Sequence, residues 1–328
     1  MKHGAQTQQR TSPMRQLMGI VAGILITLAV VCALYIAWQL WWTGVQAERV
    51  QAQTRDQVSW SDPAANGSTT IAQAQQSDAP VQPESANYGD LVAQIYIPRF
   101  GQNWERNIVE GTDAAQLARH GLGHYTETQM PGQVGNFAVA GHRNGYGQPL
   151  GDVDKLQEGD PIVVRSQDYW YVYTYTSYEI VSPKDTDVIA ANPENPGAQA
   201  TKRMITLTTC EPKYSTPTSR WIVWGELKYW AKVADGIPQE LASTSDDGQV
   251  KFAAKSTAYL SPAARLGSLA PYVRGALLAW LIFFIAAAVA WRWPALHAIR
   301  QGERPKPDAS LYGTLMRLQP GVLPIRIL

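Results

Sequence analysis

Two apolar runs near the ends of the chain constrain its fold more than any other feature. Leu17 to Leu40 is almost wholly apolar and exceeds the roughly 20 residues that a helix needs to cross a bilayer. Trp38, Trp41 and Trp42 cluster at its far end, where an interfacial aromatic belt would sit. Lys2, Arg10 and Arg15 precede the run, as they would in a signal peptide, but the apolar core is longer than an h-region. No small-x-small cleavage site follows it, so an uncleaved anchor is the favoured reading. The second run, Gly275 to Trp291, is about 17 residues and close to the lower limit for a span. A buried core helix is the alternative. The lack of a polar stripe, and the basic Arg292, His297, Arg300, Arg304 and Lys306 that follow, favour a membrane helix. Basic residues flank the outer side of both runs, which puts both termini in the cytoplasm and the intervening segment outside.

Composition divides the chain further. Residues 1–16 read as a cytoplasmic N-terminus, 17–42 as a transmembrane helix and 43–88 as an extracytoplasmic linker rich in Gln, Ala, Ser and Asp. Gln46 to Val58 could continue the first helix for a few turns, whereas Pro63, Gly67, Pro80 and Pro83 mark the linker proper. Residues 89–230 form a single globular domain of ordinary size. A polar stalk is expected over 231–271, a second transmembrane helix over 272–293 and a cytoplasmic tail over 294–328. The net charge of +1 gives no basic field for nucleic acid.

Within the globular segment, strand signals dominate. Leu91 to Pro98, Asn136 to Ala140, Pro161 to Arg165, Tyr169 to Val181, Met204 to Thr209 and Trp221 to Leu227 are short apolar or alternating runs bounded by turn residues. The stripe Tyr169, Tyr171, Tyr173 and Tyr175 is expected to form a half-exposed sheet face. Thr112 to His120 is the clear helix, with Thr112 or Asp113 as N-cap and Gly121 as its stop. Many strands, few helices and no βαβ alternation imply a closed or nearly closed β-barrel.

The chain has two cysteines, Cys32 and Cys210. Cys32 falls within the first span and Cys210 in the external segment, so the two cannot pair. An unpaired external thiol is either buried and inert or kept for chemistry. Composition leaves both readings open. Cys210 ends one strand and Arg220 opens the next, which puts them at one sheet edge if those strands are neighbours. His142 lies just past the end of another apolar strand. A thiol, an imidazole and a guanidinium at strand ends are the parts of an acyl-transfer site: nucleophile, proton handler and oxyanion or substrate clamp. Each also has a plainer reading. Cys210 could be structural, His142 could bond its own turn, and Arg220 could pair with Glu211 or Glu226 at the surface. The five histidines show no zinc-ligand spacing, and no carboxylate cluster suggests calcium, so no metal and no cofactor are expected.

The combination of motifs is more specific than any of its members. Leu207-Thr208-Thr209-Cys210-Glu211-Pro212-Lys213-Tyr214-Ser215, followed by Arg220 and an apolar strand, resembles the TLxTC…R signature of sortases. Gly135 to Arg143 is similar to the strand leading to that family's catalytic histidine. Ile97-Pro98, Glu110-Gly111-Thr112 and Gly121 to Tyr125 resemble the segments that open a sortase barrel. The resemblance covers about 89–228 and implies a mainly β fold, an eight-stranded sortase-type barrel with short helices flanked by the two membrane helices. It implies Cys210 as nucleophile, His142 as general acid/base and Arg220 as substrate and oxyanion clamp, with Thr209 and Tyr146 contacting substrate and His124 structural. The loop from Ser182 to Arg203 corresponds to the family's specificity loop. The implied reaction cleaves an LAxTG- or LPxTG-like sorting signal after Thr and passes the acyl group to a cell-wall precursor amine. The implied partners are secreted proteins bearing such a signal, the peptidoglycan precursor and membrane lipid.

The Gly-His-Arg turn with Tyr146, and the Cys-x-Pro-Lys-Tyr-Ser run, look most like class E, which anchors wall proteins in high-GC Gram-positive bacteria. The second span is instead similar to class C, the pilin polymerases, whose lid carries an Asp-Pro-aromatic motif. Here Asp62-Pro63 is followed by Ala64, so a lid is not favoured. A barrel that only scaffolds wall proteins is the non-enzymatic alternative. A papain-like enzyme is disfavoured because His142 precedes Cys210, and an L,D-transpeptidase because no Ser-His-Gly-Cys run occurs.

Overall fold

The computed structural model describes residues 13–64, 69–244, 249–252, 274–282 and 301–303. The chain divides into two compact units, residues 1–36 with 266–328 and residues 37–265. In the first, α1 (Pro13–Ala37) is a 25-residue helix whose described leucines, isoleucines and valines are exposed. At 1.5 Å per residue it is about 37 Å long, enough to cross a bilayer core of roughly 30 Å. Of the expected second span, residues 274–282 are helical, with Leu277, Leu278, Leu281 and Ile282 exposed. The rest of that expected span, and most of the expected tail, lie outside the described residues.

The second unit begins with a π-helical turn, Trp38–Trp42, and α2 (Thr43–Gln57). Eight strands follow: β1 (Leu91–Tyr96), β2 (Glu105–Glu110), β3 (Leu122–His124), β4 (Gly135–Gly141), β5 (Pro161–Arg165), β6 (Tyr169–Val181), β7 (Arg203–Glu211) and β8 (Ser219–Lys232). They close a barrel in the order β1-β2-β3-β4-β7-β8-β6-β5. The pairs β2–β3 and β4–β7 are parallel, and all others are antiparallel. Between β2 and β3 lies α3 (Ala114–His120). It is capped by the Asp113 carboxylate, which accepts from the backbone N–H groups of Ala115 and Gln116, and it stops at Gly121 as expected.

Alternation along each strand divides the side chains between two cores. The barrel interior holds Ile95, Phe137, Val139, Ile205, Leu207 and Val223 among others. Tyr171, Tyr173 and Tyr175 also point into it, so the tyrosine stripe is not the half-exposed face expected from its alternation. Phenols fit there because they fill a wide barrel and still reach polar groups at its rim, as when Tyr171 donates to the Pro80 carbonyl at 2.9 Å.

The opposite face of β6 is also covered. Trp170 and Val172 pack with Tyr96, Ile237, Leu241 and Phe252 in a second cluster. The covering layer comes from the supposed stalk, whose described residues up to Phe252 include the antiparallel pair β9 (Ala242–Thr244) and β10 (Val250–Phe252). Part of the expected linker is likewise fastened to the barrel. Backbone bonds join Ala72 to Ile237 at 2.8 Å, and Gln75 exchanges a pair with Trp230 at 2.8 and 3.1 Å. These bonds use main-chain groups, so a Gln/Ala/Pro-rich composition does not reveal them. The Phe252 ring lies 5.6 Å from Tyr96 and 6.0 Å from Trp170. Phe252→Ala is therefore expected to destabilise the barrel by about 3 kcal/mol in chemical denaturation, whereas a free stalk residue would leave the midpoint unchanged.

Candidate active site

The site is built on the parallel pair β4–β7. Its register runs Asn136↔Met204, Ala138↔Thr206 and Ala140↔Thr208. Two residues further along each strand direction stand His142 and Cys210, so parallel pairing brings both to one barrel edge, with neighbouring strands about 4.8 Å apart. Across the other side of β7, Cys210 is the direct antiparallel partner of Arg220. Phe137, Val139, Ile205, Leu207 and Val223 face the interior. The opposite parity, Cys210 and Arg220, therefore faces outward, and His142 follows immediately after β4. The structure thus gathers all three expected residues at one edge.

Threonine hydroxyls staple the two strands together. Thr206 donates to Asn136 Oδ1 at 2.8 Å, Thr208 to the Val139 carbonyl at 3.1 Å and Thr209 to the Gly141 carbonyl at 2.8 Å. Thr209 is buried and its hydroxyl proton is committed to the residue before His142. Gly141 itself is required by close approach, since a Cβ there would stand 2.3 Å from Leu122 Cδ2.

His142 is half-buried. Its Nε2 is buried without a hydrogen-bond partner, and burial pushes its pKa below the ordinary histidine value. The ring stacks on Tyr146 at 4.7 Å and 29°. Tyr146 belongs to a run of four left-handed residues, Gly145, Tyr146, Gly147 and Gln148, with φ from 45° to 80°. The two non-glycine residues in that run each cost about 1 kcal/mol, so the loop needs outside support.

Sequence reasoning missed three supporting residues, each directly following one of the candidates. Arg143, after His142, is buried. It pairs with Glu211, which follows Cys210, and with Asp154 at 3.3 Å, and it lies 4.6 Å over the ring of Trp221, which follows Arg220. Trp221 also stacks on Tyr178 at 4.7 Å. The opposite charges following His and Cys were the available signal. Glu211 is thereby taken by Arg143 and Glu226 by Lys202 at 3.2 Å. Arg220, expected as an alternative partner of either, donates to the Ser219 carbonyl at 3.1 Å and makes no ion pair among the described residues.

His124 is fully buried. Its Nδ1 lies 2.8 Å from Glu110 Oε2 and its ring stacks on Phe137, which is a structural setting. The loop from Ser182 to Arg203 is tied down at Val188, whose carbonyl accepts from Trp224 Nε1, and at Ala190, whose carbonyl accepts from Asn136 Nδ2. Most of its remainder is exposed. Trp60 and Ser61 contact Arg165. Arg165 pairs with Trp170, about eleven residues along β6 from Val181, the partner of Arg220. At roughly 3.3 Å per residue this is the far end of the barrel, so that segment does not lie over the site as a lid.

A closed eight-stranded barrel with a thiol, an imidazole and a guanidinium at one edge has the layout of a cysteine transpeptidase. The chain belongs to the sortase family. A family profile described as the sortase domain matches residues 95–228. Sortase SrtE1 of Streptomyces coelicolor is 35% identical over 68% of this chain, which spans 60% of that relative's length. Sortase SrtE2 of the same organism is 31% identical over 69% of this chain and 88% of its own. The solved SrtA sortase of Actinomyces oris is 39% identical, covering 54% of this chain and 99% of that one, with a TM-score of 0.49.

Because burial depresses the folded-state pKa of His142, the unfolded chain takes up this proton first as pH falls through about 6.5. The fold then loses stability until pH drops below the folded value. NMR titration of labelled histidine is expected to give His142 a midpoint below 6.5, and a midpoint at or above that value would contradict burial as its main influence.

Proposed function

We propose that this protein is a membrane-anchored sortase of the class E type, which cleaves a secreted protein's LAxTG- or LPxTG-like sorting signal after Thr and joins it to a cell-wall precursor amine. The observation that carries this reading is the juxtaposition of Cys210 with Arg220 across β7–β8 and with His142 along β4–β7. In the proposed reaction Cys210 passes its thiol proton to the His142 imidazole and the resulting thiolate adds to the threonine carbonyl carbon, while Arg220 stabilises the negative charge that forms on the carbonyl oxygen. Collapse breaks the bond to the glycine nitrogen, which takes a proton from the His142 imidazolium, and leaves a thioester on Cys210. The incoming amine then loses a proton to His142, attacks the thioester and releases the thiolate. The unpartnered Nε2 suits His142 to both transfers.

Thr209 enters this proposal as a brace between Cys210 and His142, because its hydroxyl is committed to Gly141. Tyr146 enters through its stack on His142 rather than through a direct substrate contact. The class E reading is favoured over pilin polymerisation because Trp60 and Ser61, which adjoin Asp62-Pro63, meet Arg165 at the far end of the barrel from the site, and over a scaffold because all three reactive positions are filled. Both termini are proposed to be cytoplasmic and the barrel extracytoplasmic, with membrane lipid around α1.

Full-length protein in detergent is expected to cleave LAxTG and LPxTG peptides and to transfer them to a glycine-type amine. Cys210→Ala should abolish both steps, and equal activity in that variant would remove Cys210 as nucleophile. Arg220→Ala should lower kcat/KM on the order of 10²-fold. Protease added to wall-stripped cells should degrade the barrel and spare a tag at Leu328, whereas digestion of the tag would overturn the topology.

A further inference from the structure

The loop that carries His142 is gripped from outside the barrel by the helix nearest the membrane anchor. Thr43, in the first turn of α2, is buried. Its hydroxyl donates to the Gln39 carbonyl at 2.7 Å, and this fixes the proton and turns a lone pair toward the loop. That lone pair accepts the backbone N–H of Tyr146 at 2.9 Å. One residue on, a Cβ at Gly44 would stand 3.1 Å from the Cα and N of Gly147, so helix and loop touch backbone to backbone. Arg106 of β2 donates to the Gly147 carbonyl at 3.3 Å from the other side. Two turns along, α2 is fastened to β2. Gln51 Oε1 accepts from the Asn107 N–H at 3.0 Å, and the Gln51 carbonyl accepts from Asn107 Nδ2 at 2.9 Å.

We propose that Thr43 is a positioning residue for His142: by holding Tyr146 in its left-handed conformation, it sets the ring against which the imidazole stacks. The proposal rests on the reading of His142 as the proton carrier. The hydrogen bond and the glycine contact belong to residues that composition places in a membrane-proximal linker, so the functional unit begins at the anchor and not at the barrel. Without the acceptor on Thr43, the Tyr146 N–H loses its partner, the loop relaxes toward ordinary φ values, and the imidazole loses its fixed direction. Misplacement of a proton carrier lowers the rate of proton transfer without changing how the peptide binds.

The test uses full-length protein in detergent micelles with a sorting-signal peptide. Thr43→Val keeps the shape and removes the acceptor. It is expected to lower kcat about tenfold with KM changed less than twofold, and Thr43→Ser should restore kcat to within about twofold. The upfield ring-current shift of the His142 protons caused by Tyr146 should shrink in Thr43→Val and return in Thr43→Ser, a readout independent of turnover. Gln53→Ala, on the exposed side of the same helix, should behave as wild type. Wild-type kcat and ring shift in Thr43→Val, no rescue by serine, or an equal fall in Gln53→Ala would each overturn the proposal. His142→Asn, measured alongside, separates the two levels. If it retains turnover, the reading of His142 fails together with the catalytic consequence drawn here. If it is inactive while Thr43→Val is unaffected, the clamp alone fails.

Discussion

The parallel pairing of β4 with β7 is the constraint on which the rest of the molecule depends. Parallel neighbours cannot be joined by a tight turn, so the chain must travel around the barrel between them, and β5 and β6 are laid down on that route. What results is geometric: two strands running the same way end at the same edge, and whatever follows them is brought together there. Backbone bonds alone would leave this pair slightly weaker than an antiparallel one. The threonines of β7 add three side-chain bonds to β4, each contributing on the order of 1 kcal/mol. Two of these, from Thr208 and Thr209, fall beside the last residues before His142 and Cys210. The Thr-Leu-Thr-Thr pattern before the cysteine is thus a device for fixing register, and register is what sets the distance between thiol and imidazole.

Electrostatics follow from the same arrangement. Two arginines lie close to the site, and the carboxylates are divided unequally between them. Arg143 is buried and holds both Glu211 and Asp154, with its guanidinium 4.6 Å over the Trp221 ring. A buried guanidinium without such partners would carry a large desolvation penalty, so this cluster keeps an otherwise unfavourable charge in place. Because Glu211 is engaged there, Arg220 stands at the edge beside Cys210 with no ion pair among the described residues. The cation that stiffens the site and the cation that faces it are different residues, and it is His142 and Cys210 that stand one position before the two halves of the Arg143–Glu211 pair.

Much of this was legible in the sequence because it is written in local patterns. Strands β5 and β6 could be bounded to the residue, since β-branched and aromatic runs stop at turn residues, and α3 followed from Asp113 and Gly121. The strands β2 and β3 were not read. Glu105-Arg106-Asn107 offers polar side chains at the start of β2 because these meet α2 rather than solvent or core, and β3 is only three residues long. The tyrosine stripe was assigned to a half-exposed face because alternation distinguishes two faces but does not say which is covered. The Arg143 cluster was missed for a similar reason: Arg, Glu and Trp each have commonplace surface roles, and only the fold brings them together.

The same argument explains why composition misplaced the ends of the functional unit. Segments rich in Gln, Ala, Ser and Pro bury little apolar area and read as linkers, yet residues 69–83, 231–244 and 249–252 are joined to the barrel through main-chain and aromatic contacts. At α2 the contact is more specific still. Residues Gly145 to Gln148 occupy a conformation that an isolated chain would seldom hold, so the energy that keeps them there must come from elsewhere in the molecule. Part of it comes from a hydroxyl and a glycine on a helix that is mostly polar. A strained loop beside a reactive group, supported by an element outside the domain that carries the chemistry, makes the geometry of that group depend on the support. The anchor-proximal helix therefore has a structural claim on the site at least as direct as that of the strands that carry it.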